Sequence, residues 1–260
     1  MAQTATLQYR ESTPSVAFDA VRTATSGSRM SGACSDCPVQ TMCIPTGMGT
    51  EEVRELDGLV FARRRLRRGE HLYRAAEPFK SLYAFRSGFF KTYIDGPDGE
   101  SRTIGFPMAG EVVGLDGIET ETHRLNVVAL DDGEACAIPY AHFESVAIRV
   151  PALQRQLHKL MSREIVREQQ LMGLLGSMRA EARVAAFLLA LSDKFAMRGY
   201  SAAHFRLRMT REEIGSYLGL KLETVSRALS RLQESGLIAV ELRSLVIVDA
   251  KKLAALVPDL

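Results

Sequence analysis

Two short helices joined by a tight turn are predicted by the sequence Met209-Thr-Arg-Glu-Glu-Ile-Gly-Ser-Tyr-Leu-Gly-Leu-Lys-Leu-Glu-Thr-Val-Ser-Arg227. Thr210 and Glu213 have the spacing of a capping box, which predicts a helix from residue 211 to residue 218. Gly219 favours the left-handed conformation that ends a helix, and a second helix is predicted from about residue 222 to residue 235. These signals together predict a helix-turn-helix, a motif that places its second helix in the major groove of DNA.

The second helix carries polar side chains on the side that its apolar residues leave free. Arginine can form paired hydrogen bonds with guanine, glutamate can accept from cytosine, and serine can bond to bases or phosphates. The candidate DNA-contacting residues are Glu223, Thr224, Ser226, Arg227 and Arg231. Two apolar runs that follow, at 237–240 and 245–248, predict a two-stranded wing. The alternative is a plain helical hairpin whose charged side chains are solvated.

Upstream of this motif, Pro151 opens a long helical pattern that extends to about residue 175. One stripe of this helix alternates spacings of three and four residues, the heptad pattern that packs a helix along a partner helix. The stripe consists of His158, Met161, Ile165, Glu168, Met172 and Leu175. We therefore predict a homodimer with this stripe as its seam; the alternative is a single amphipathic helix with a broad core face.

Glu168 places a carboxylate within this otherwise largely apolar seam. In a parallel dimer it would face its counterpart, and two buried carboxylates cannot both ionise cheaply. The predicted dimer is therefore marginal, as a switch requires. The alternative is that Glu168 reaches solvent at the edge of the seam.

Further upstream, short apolar or alternating runs separated by glycine-containing turns extend from about residue 61 to residue 139, which predicts a β-barrel or sandwich. The fold class is accordingly α+β. Residues 1–33 are rich in Thr, Ser, Ala and Gly without an apolar period, so we expect a flexible N-terminal arm.

Composition excludes several classes of protein. The chain has 260 residues, 46% of them hydrophobic, without an apolar stretch of membrane-spanning length or a secretory signal, so a cytoplasmic protein with no membrane segment is expected. The net charge of +2 divides into −2 for residues 1–175 and +4 for residues 176–260, which favours an anionic partner at the C-terminal end. No nucleophile–base pair, phosphate loop or His/carboxylate metal motif is present, so an enzyme is not expected.

Four cysteines form the second signal. Cys34, Cys37 and Cys43 lie within ten residues of one another, and Cys136 follows far along the chain. Four thiolates can ligate a 4Fe-4S cluster, and they can also form a structural zinc site. A disulfide is less expected in a cytosolic chain. The spacing leaves both metals open.

The residues of both signals resemble the oxygen-responsive fumarate and nitrate reduction regulator (FNR) family, within the cyclic-AMP receptor protein superfamily. The resemblance extends over about residues 30–256 and rests on Glu223-Thr-Val-Ser-Arg227, Cys43-Ile-Pro45, Lys80-Ser-Leu-Tyr-Ala84, Arg86-Ser-Gly88 and Ala109-Gly-Glu-Val-Val-Gly114. It implies a β-roll sensor domain of the cyclic-nucleotide-binding jelly-roll type, a long dimerisation helix and a C-terminal winged helix-turn-helix. The boundaries expected on this basis are 1–33 for the arm, 34–150 for the cluster-binding and sensor domain, 151–176 for the helix and 177–260 for the DNA-binding domain.

The same resemblance implies a function. Cys34, Cys37, Cys43 and Cys136 would ligate one oxygen-labile 4Fe-4S cluster per subunit, and Glu223, Ser226 and Arg227 would read TTGAT half-sites of a palindrome in double-stranded DNA. In the family, oxygen converts the cluster to a 2Fe-2S form, the dimer weakens and DNA binding is lost. The implied activity is transcriptional activation or repression under low oxygen, with RNA polymerase as a partner near the hairpin at 95–99.

Three features depart from this pattern or leave an alternative. Pro38 directly follows the second cysteine and removes a backbone N–H that could bond a cluster or thiolate sulfur. Arg124 is followed by Leu125 rather than by the serine of cyclic-nucleotide-binding members, so Arg124 is expected at the surface. The basic run at 63–68 is expected to be a solvated strand edge. The alternative functions are the same scaffold with zinc or thiol redox sensing, or with a small ligand such as a cyclic nucleotide.

Overall fold

A computed structural model describes residues 33–60 and 62–257. The expected N-terminal arm therefore lies almost wholly outside the described residues. The first half is a β-roll whose eight strands form two four-stranded antiparallel sheets, in the orders β1-β8-β3-β6 and β2-β7-β4-β5. The strands are β1 (Ala62–Leu66), β2 (His71–Tyr73), β3 (Ser81–Ser87), β4 (Phe90–Asp95), β5 (Ser101–Gly105), β6 (Val112–Val113), β7 (Asn126–Ala129) and β8 (Gly133–Pro139).

Both sheets contribute to one core, because alternate side chains of each strand point inward. The buried residues of this core include Phe85 and Ala135 from the first sheet and Phe90 and Val127 from the second. The rings of Phe85 and Phe90 stack with centroids 3.8 Å apart. The predicted β-sandwich or barrel is confirmed in this jelly-roll form.

Helices precede and follow the roll. They are α1 (Thr50–Glu55), α2 (Tyr140–Arg149), α3 (Pro151–Ser177) and α4 (Ala180–Met197). The C-terminal elements are β9 (His204–Arg206), α5 (Arg211–Leu218), α6 (Leu222–Glu234), β10 (Ile238–Glu241), β11 (Ser244–Ile247) and α7 (Ala250–Ala254). None of the described helices is long and apolar enough to cross a membrane.

The helix-turn-helix forms as its local signals predict. Thr210 Oγ1 accepts from the backbone N–H of Glu213, whose carboxylate accepts from the N–H of Thr210, so the capping box is complete. Gly219 adopts φ 62°, the left-handed region that ends α5. Strands β10 and β11 form the wing, and β9 adds a third strand through Phe205, the register partner of Leu245.

The two halves pack against each other rather than standing apart. One buried cluster joins Phe89, Phe106 and Met108 of the β-roll to Phe187 of α4 and to the helix-turn-helix core. The rings of Phe106 and Tyr217 meet edge to face at 5.5 Å. The winged helix-turn-helix is therefore seated on the β-roll by a continuous apolar core.

Candidate metal centre and nucleic-acid interface

The four cysteines line one pocket. Cys34, Cys37 and Cys43 come from the loop that precedes α1, and Cys136 comes from β8. Their pocket is otherwise mostly apolar, with walls formed by Val39, Ile44, Pro45, Leu59, Val60, Ala84, Phe85 and Ile138. Residues about a hundred positions apart in sequence are thus brought together in one site.

Backbone hydrogen bonds shape the cysteine loop. The N–H of Cys37 donates to the carbonyl of Cys34 at 3.2 Å, and the N–H of Cys43 donates to that of Gln40 at 3.3 Å, on either side of a short 3-10 turn. Ser35 anchors the loop, because its N–H and hydroxyl donate to the two carboxylate oxygens of Asp57 at 2.9 and 2.8 Å. The loop is therefore fixed to the chain that leads into β1.

Met42 joins the same loop to the β-roll at Gly110. Gly110 has φ 89°, and a Cβ atom there would lie 2.9 Å from the Cβ of Met42. Only glycine meets both conditions without displacement. This contact places the cysteine loop directly beside Glu111, the next residue of the chain.

Burial sets the protonation of the thiols. It raises the pKa of Cys34 and of Cys43 to about 12, with neighbouring cysteines adding to the shift, and it also raises the pKa of Cys136. Because thiolate is the form that binds a metal, occupation of the site would release protons. Within residues 33–60 and 62–257, no three His, Cys, Asp or Glu side chains already converge as a single metal ion would require.

The donor chemistry of the pocket fits a group bound by four thiolates. Besides the cysteines, the buried Nε atoms of Arg63 and Arg86 have no hydrogen-bond partner in the described part of the chain. In the run at 63–68, which was expected to form a solvated strand edge, Arg64, Arg67 and Arg68 are exposed and Arg63 is half-buried. The register of β1 on β8 decides this, because it pairs Arg63 with Cys136.

The cysteine pocket shares its core with the start of α3. Cys136 belongs to one buried cluster with Ala152 and Leu153 of α3, and Leu157 and Leu160 pack against the same cluster. The pocket and the first ten residues of the long helix therefore share one buried core.

The predicted seam residues lie on the part of α3 that this core does not cover. In the single chain His158 and Glu168 are exposed, and Met161, Ile165 and Met172 are 41%, 54% and 63% exposed. Leu175 differs from them, since it is half-buried. Its Cδ2 lies 3.4 Å from the point where a Cβ atom on Gly219 would be. The residues upstream of Leu175 thus form an apolar stripe interrupted by one carboxylate.

The predicted base-contacting residues on the outer side of α6 differ in their exposure to solvent. Glu223 and Arg227 are exposed, whereas Thr224 is half-buried. Ser226 Oγ accepts from Arg211 Nη1 at 3.2 Å, and Arg231 forms an ion pair with Glu181 of α4.

Arg211 was not singled out from the sequence. It is the first residue of α5, and its contact with Ser226 puts its guanidinium beside α6. The signal available in the sequence was a basic residue in the first helical position, where an acidic one is the usual choice.

Ion pairs join the β-roll to the C-terminal half. Glu111 accepts from Lys194 Nζ at 2.9 Å and from Arg198 Nη2 at 2.7 Å, both on α4. Lys91 Nζ lies 2.8 Å from Glu213 Oε1. Burial lowers the pKa of Lys194, and Glu111 counters the shift.

Near Arg124, whose surroundings differ from those of cyclic-nucleotide-binding members, a carboxylate already accepts from the backbone. Asp116 Oδ2 accepts from the backbone N–H groups of Arg124 and Leu125 at 2.8 and 3.1 Å. Arg124 is exposed, as expected, and Glu111 is directed to α4. Two amides that could bind an anion are therefore already bonded to a carboxylate.

Comparison with known proteins agrees with this architecture. The family model of the Crp-like helix-turn-helix domain matches residues 182–256, and that of the cyclic nucleotide-binding domain matches residues 63–149. Among solved structures, FixK2 from Bradyrhizobium japonicum has a TM-score of 0.71 at 30% identity, covering 76% of this chain and 98% of that one.

Curated relatives align over most of their length. The chain is 45% identical over 224 residues to the transcriptional regulatory protein btr of Bordetella pertussis, with 86% of this chain and 93% of the relative covered. It is 44% identical to the transcriptional activator protein anr of Pseudomonas aeruginosa (86% and 91% covered) and 40% identical to the fumarate and nitrate reduction regulatory protein of Salmonella typhimurium (86% and 89% covered). The chain therefore belongs to the FNR-type family of the Crp superfamily, whose members are transcriptional regulators and not enzymes.

Proposed function

We propose that this protein is a cytoplasmic, oxygen-sensing transcriptional regulator that carries one oxygen-labile 4Fe-4S cluster per subunit. Cys34, Cys37, Cys43 and Cys136 hold the cluster, which promotes homodimerisation and binding to TTGAT-type palindromic DNA. Genes are thereby activated or repressed under low oxygen. The observation that carries the proposal is that the four cysteines share one pocket, and that the pocket shares its core with the start of α3.

Side-chain packing couples the cysteine pocket to the start of α3. Cys34, Cys37 and Cys43 of the loop and Cys136 of β8 would hold the cluster, which would tie the loop to β8 when bound. Ala152 and Leu153 pack in the core that includes Cys136, so the position of the loop governs how α3 begins. Since protein interiors are close-packed, displacement of the loop is passed to those turns rather than absorbed.

Dimerisation uses the exposed stripe of α3. Met161, Ile165 and Met172 together present apolar surface that a second copy of α3 would remove from water. Glu168 opposes this association, because two carboxylates would meet in the seam. The balance makes dimerisation sensitive to a small change at the start of the helix.

DNA recognition is proposed for the outer side of α6. Glu223, Ser226 and Arg227 read base edges, and Thr224 and Arg231 support the contact. The net charge of +4 over residues 176–260 is modest, so one subunit binds weakly and a dimer, with twice the phosphate contacts, binds well. RNA polymerase is the proposed partner of the exposed hairpin tip at 95–99.

A DNA-binding measurement tests this function. Fluorescence anisotropy would follow a labelled duplex with two TTGAT half-sites, first without oxygen and then after exposure to air. We expect anaerobic binding that is lost in air, and Cys136→Ser should not bind under either condition. Binding that is equal in air, without oxygen and after iron chelation would contradict the proposal.

Two other sensors remain as competitors on the same scaffold. Zinc would also satisfy four thiolates, and metal analysis separates it from iron. A cyclic nucleotide is disfavoured, because Asp116 already occupies the amides of Arg124 and Leu125.

A further inference from the structure

Arg63 reaches the cysteine pocket from β1. It is the register partner of Cys136 on β8, and Ala84 of β3 is the partner of the same cysteine on the other side. Opposed residues of an antiparallel pair project from one face of the sheet, with Cβ atoms about 4.5–5.5 Å apart. Because Cys136 and Ala84 both line the pocket, Arg63 lies on the pocket face of the sheet.

Arg86 reaches the pocket from β3 through an irregularity of the strand. The register of β3 on β8 shifts between Phe85 and Ser87, and such a bulge re-aims the side chain at its centre. Arg86 lines the pocket together with Cys37. Its Nη1 lies 3.1 Å from Glu134 Oε2, so the carboxylate of Glu134 also holds the guanidinium.

Each of the two guanidinium groups has one buried N–H donor without an acceptor. The Nε atoms of Arg63 and Arg86 are buried and lack a hydrogen-bond partner among the residues that the structure describes. Buried N–H groups are rarely left without an acceptor, so each such atom calls for a partner that the polypeptide does not supply. The anionic sulfur atoms of an occupied site are acceptors of the required kind.

This inference rests on the cluster of the proposed function: we infer that Arg63 and Arg86 are positioning residues for that cluster. Their guanidinium groups donate hydrogen bonds to the sulfur atoms of Cys136 and Cys37. Their positive charges offset part of the negative charge of the four thiolates. The reduction potential of an iron–sulfur centre depends on its net charge and on hydrogen bonds to its sulfurs. The two arginines therefore raise that potential and slow the loss of the cluster in air.

The test compares Arg63→Gln and Arg86→Gln with wild-type protein and with Arg67→Gln, a matched control whose exposed side chain comes from the same basic run. Each protein is reconstituted with iron and sulfide without oxygen. Iron and sulfide per chain, the midpoint potential and the half-life of the visible absorbance in air-saturated buffer are then measured. We expect both pocket variants to have a lower midpoint potential and a half-life several-fold shorter, while Arg67→Gln matches wild type.

Conservative variants separate the role of the guanidinium from a structural one. Arg63→Lys and Arg86→Lys keep the charge without the forked donor, so their potentials should lie between those of wild type and the glutamine variants. They also replace any glutamine variant that circular dichroism shows to be unfolded.

The outcomes distinguish this inference from the function on which it rests. Wild-type potential and half-life in loaded Arg63→Gln and Arg86→Gln would overturn the inference and leave the cluster intact as a proposal. Failure of the wild-type protein to take up iron and sulfide would overturn the proposed function itself.

Discussion

Lys91 Nζ on β4 lies 2.8 Å from Glu213 Oε1 on α5, so a largely buried ion pair joins the β-roll to the first helix of the helix-turn-helix. The same glutamate completes the capping box of α5 through its other oxygen, which accepts from the N–H of Thr210 at 2.8 Å. Glu213 thus contributes both to the contact between the two domains and to the start of α5.

Lys91→Met should destabilise the folded chain while it leaves the capping box intact. Removing one partner of a charged hydrogen bond in a mostly buried setting costs about 1–3 kcal/mol. Urea unfolding of the metal-free protein measures the loss. Arg102→Met on the neighbouring strand is the control, since Arg102 is exposed and should change the free energy of unfolding by less than about 0.5 kcal/mol.

The effect of Lys91→Met should also depend on pH. Although burial favours the protonated acid, hydrogen bonds from Lys91 and the N–H of Thr210 hold the pKa of Glu213 below its ordinary value of 4.5. A carboxyl whose folded pKa is lowered contributes its stability above the unfolded pKa and loses it as pH falls through the folded one. The difference between wild type and variant should therefore be full at neutral pH and shrink below pH 4.5. A difference that is constant from neutral to acid pH would contradict this assignment.

Ile165→Glu should abolish the proposed dimer. Burying an isoleucine is worth about 1.5–3 kcal/mol, and the change occurs in both subunits, so the dissociation constant should rise at least about 100-fold. Anaerobic sedimentation velocity measures it. Ile148→Glu is the matched control: Ile148 is 83% exposed on α2 and does not belong to the predicted seam, so its replacement should leave the dimer unchanged. Equal weakening by both variants would argue against the seam.

Glu168→Ala should stabilise the dimer and permit DNA binding in air. The substitution removes the carboxylate pair that would otherwise oppose association, so the apparent affinity for a palindromic duplex in air should rise about 10-fold or more. Anisotropy and sedimentation on aerobic protein supply the two readouts. A well-folded Glu168→Ala protein that remains monomeric and inactive in air would show that Glu168 does not control the seam.

Arg227→Ala should relax sequence discrimination. A bidentate arginine–guanine contact is worth about 1–3 kcal/mol against the wrong base, so the variant should lose preference for TTGAT over TTAAT half-sites. Arg211→Ala is the counterpart: it should weaken binding to both duplexes alike and reduce the salt dependence by about one phosphate contact. Retained discrimination in Arg227→Ala would assign base reading to another residue.

Local signals explain which elements the sequence predicts well. The predicted helix from residue 211 to residue 218 coincides with α5, because the capping box and Gly219 specify both of its ends within a few residues. The start of α6 at residue 222 also agrees with the prediction. The short strand β9 escaped prediction, since its three residues have two exposed side chains and are held mainly by pairing with β11. Helix α2 escaped it too, because it buries only Phe143 and Val146.

The candidate site shows the same division between local and long-range information. The cysteines are conspicuous in the sequence, but the proximity of Arg63 to Cys136 is not. Side chains alternate between the two faces of a strand, so only half of a charged run can face the pocket. Only the register of β1 on β8 decides which half faces the pocket. The bulge at Arg86 and the internal bonding of Asp116 likewise depend on contacts between distant segments.

The group that the four cysteines bind decides between the proposed function and its competitors. Protein purified without oxygen should be analysed for iron, acid-labile sulfide and zinc, with Cys136→Ser as the control. We expect a brown protein with about four iron and four sulfide per chain, and a variant that retains neither. A colourless wild-type protein with one zinc per chain would contradict the central claim.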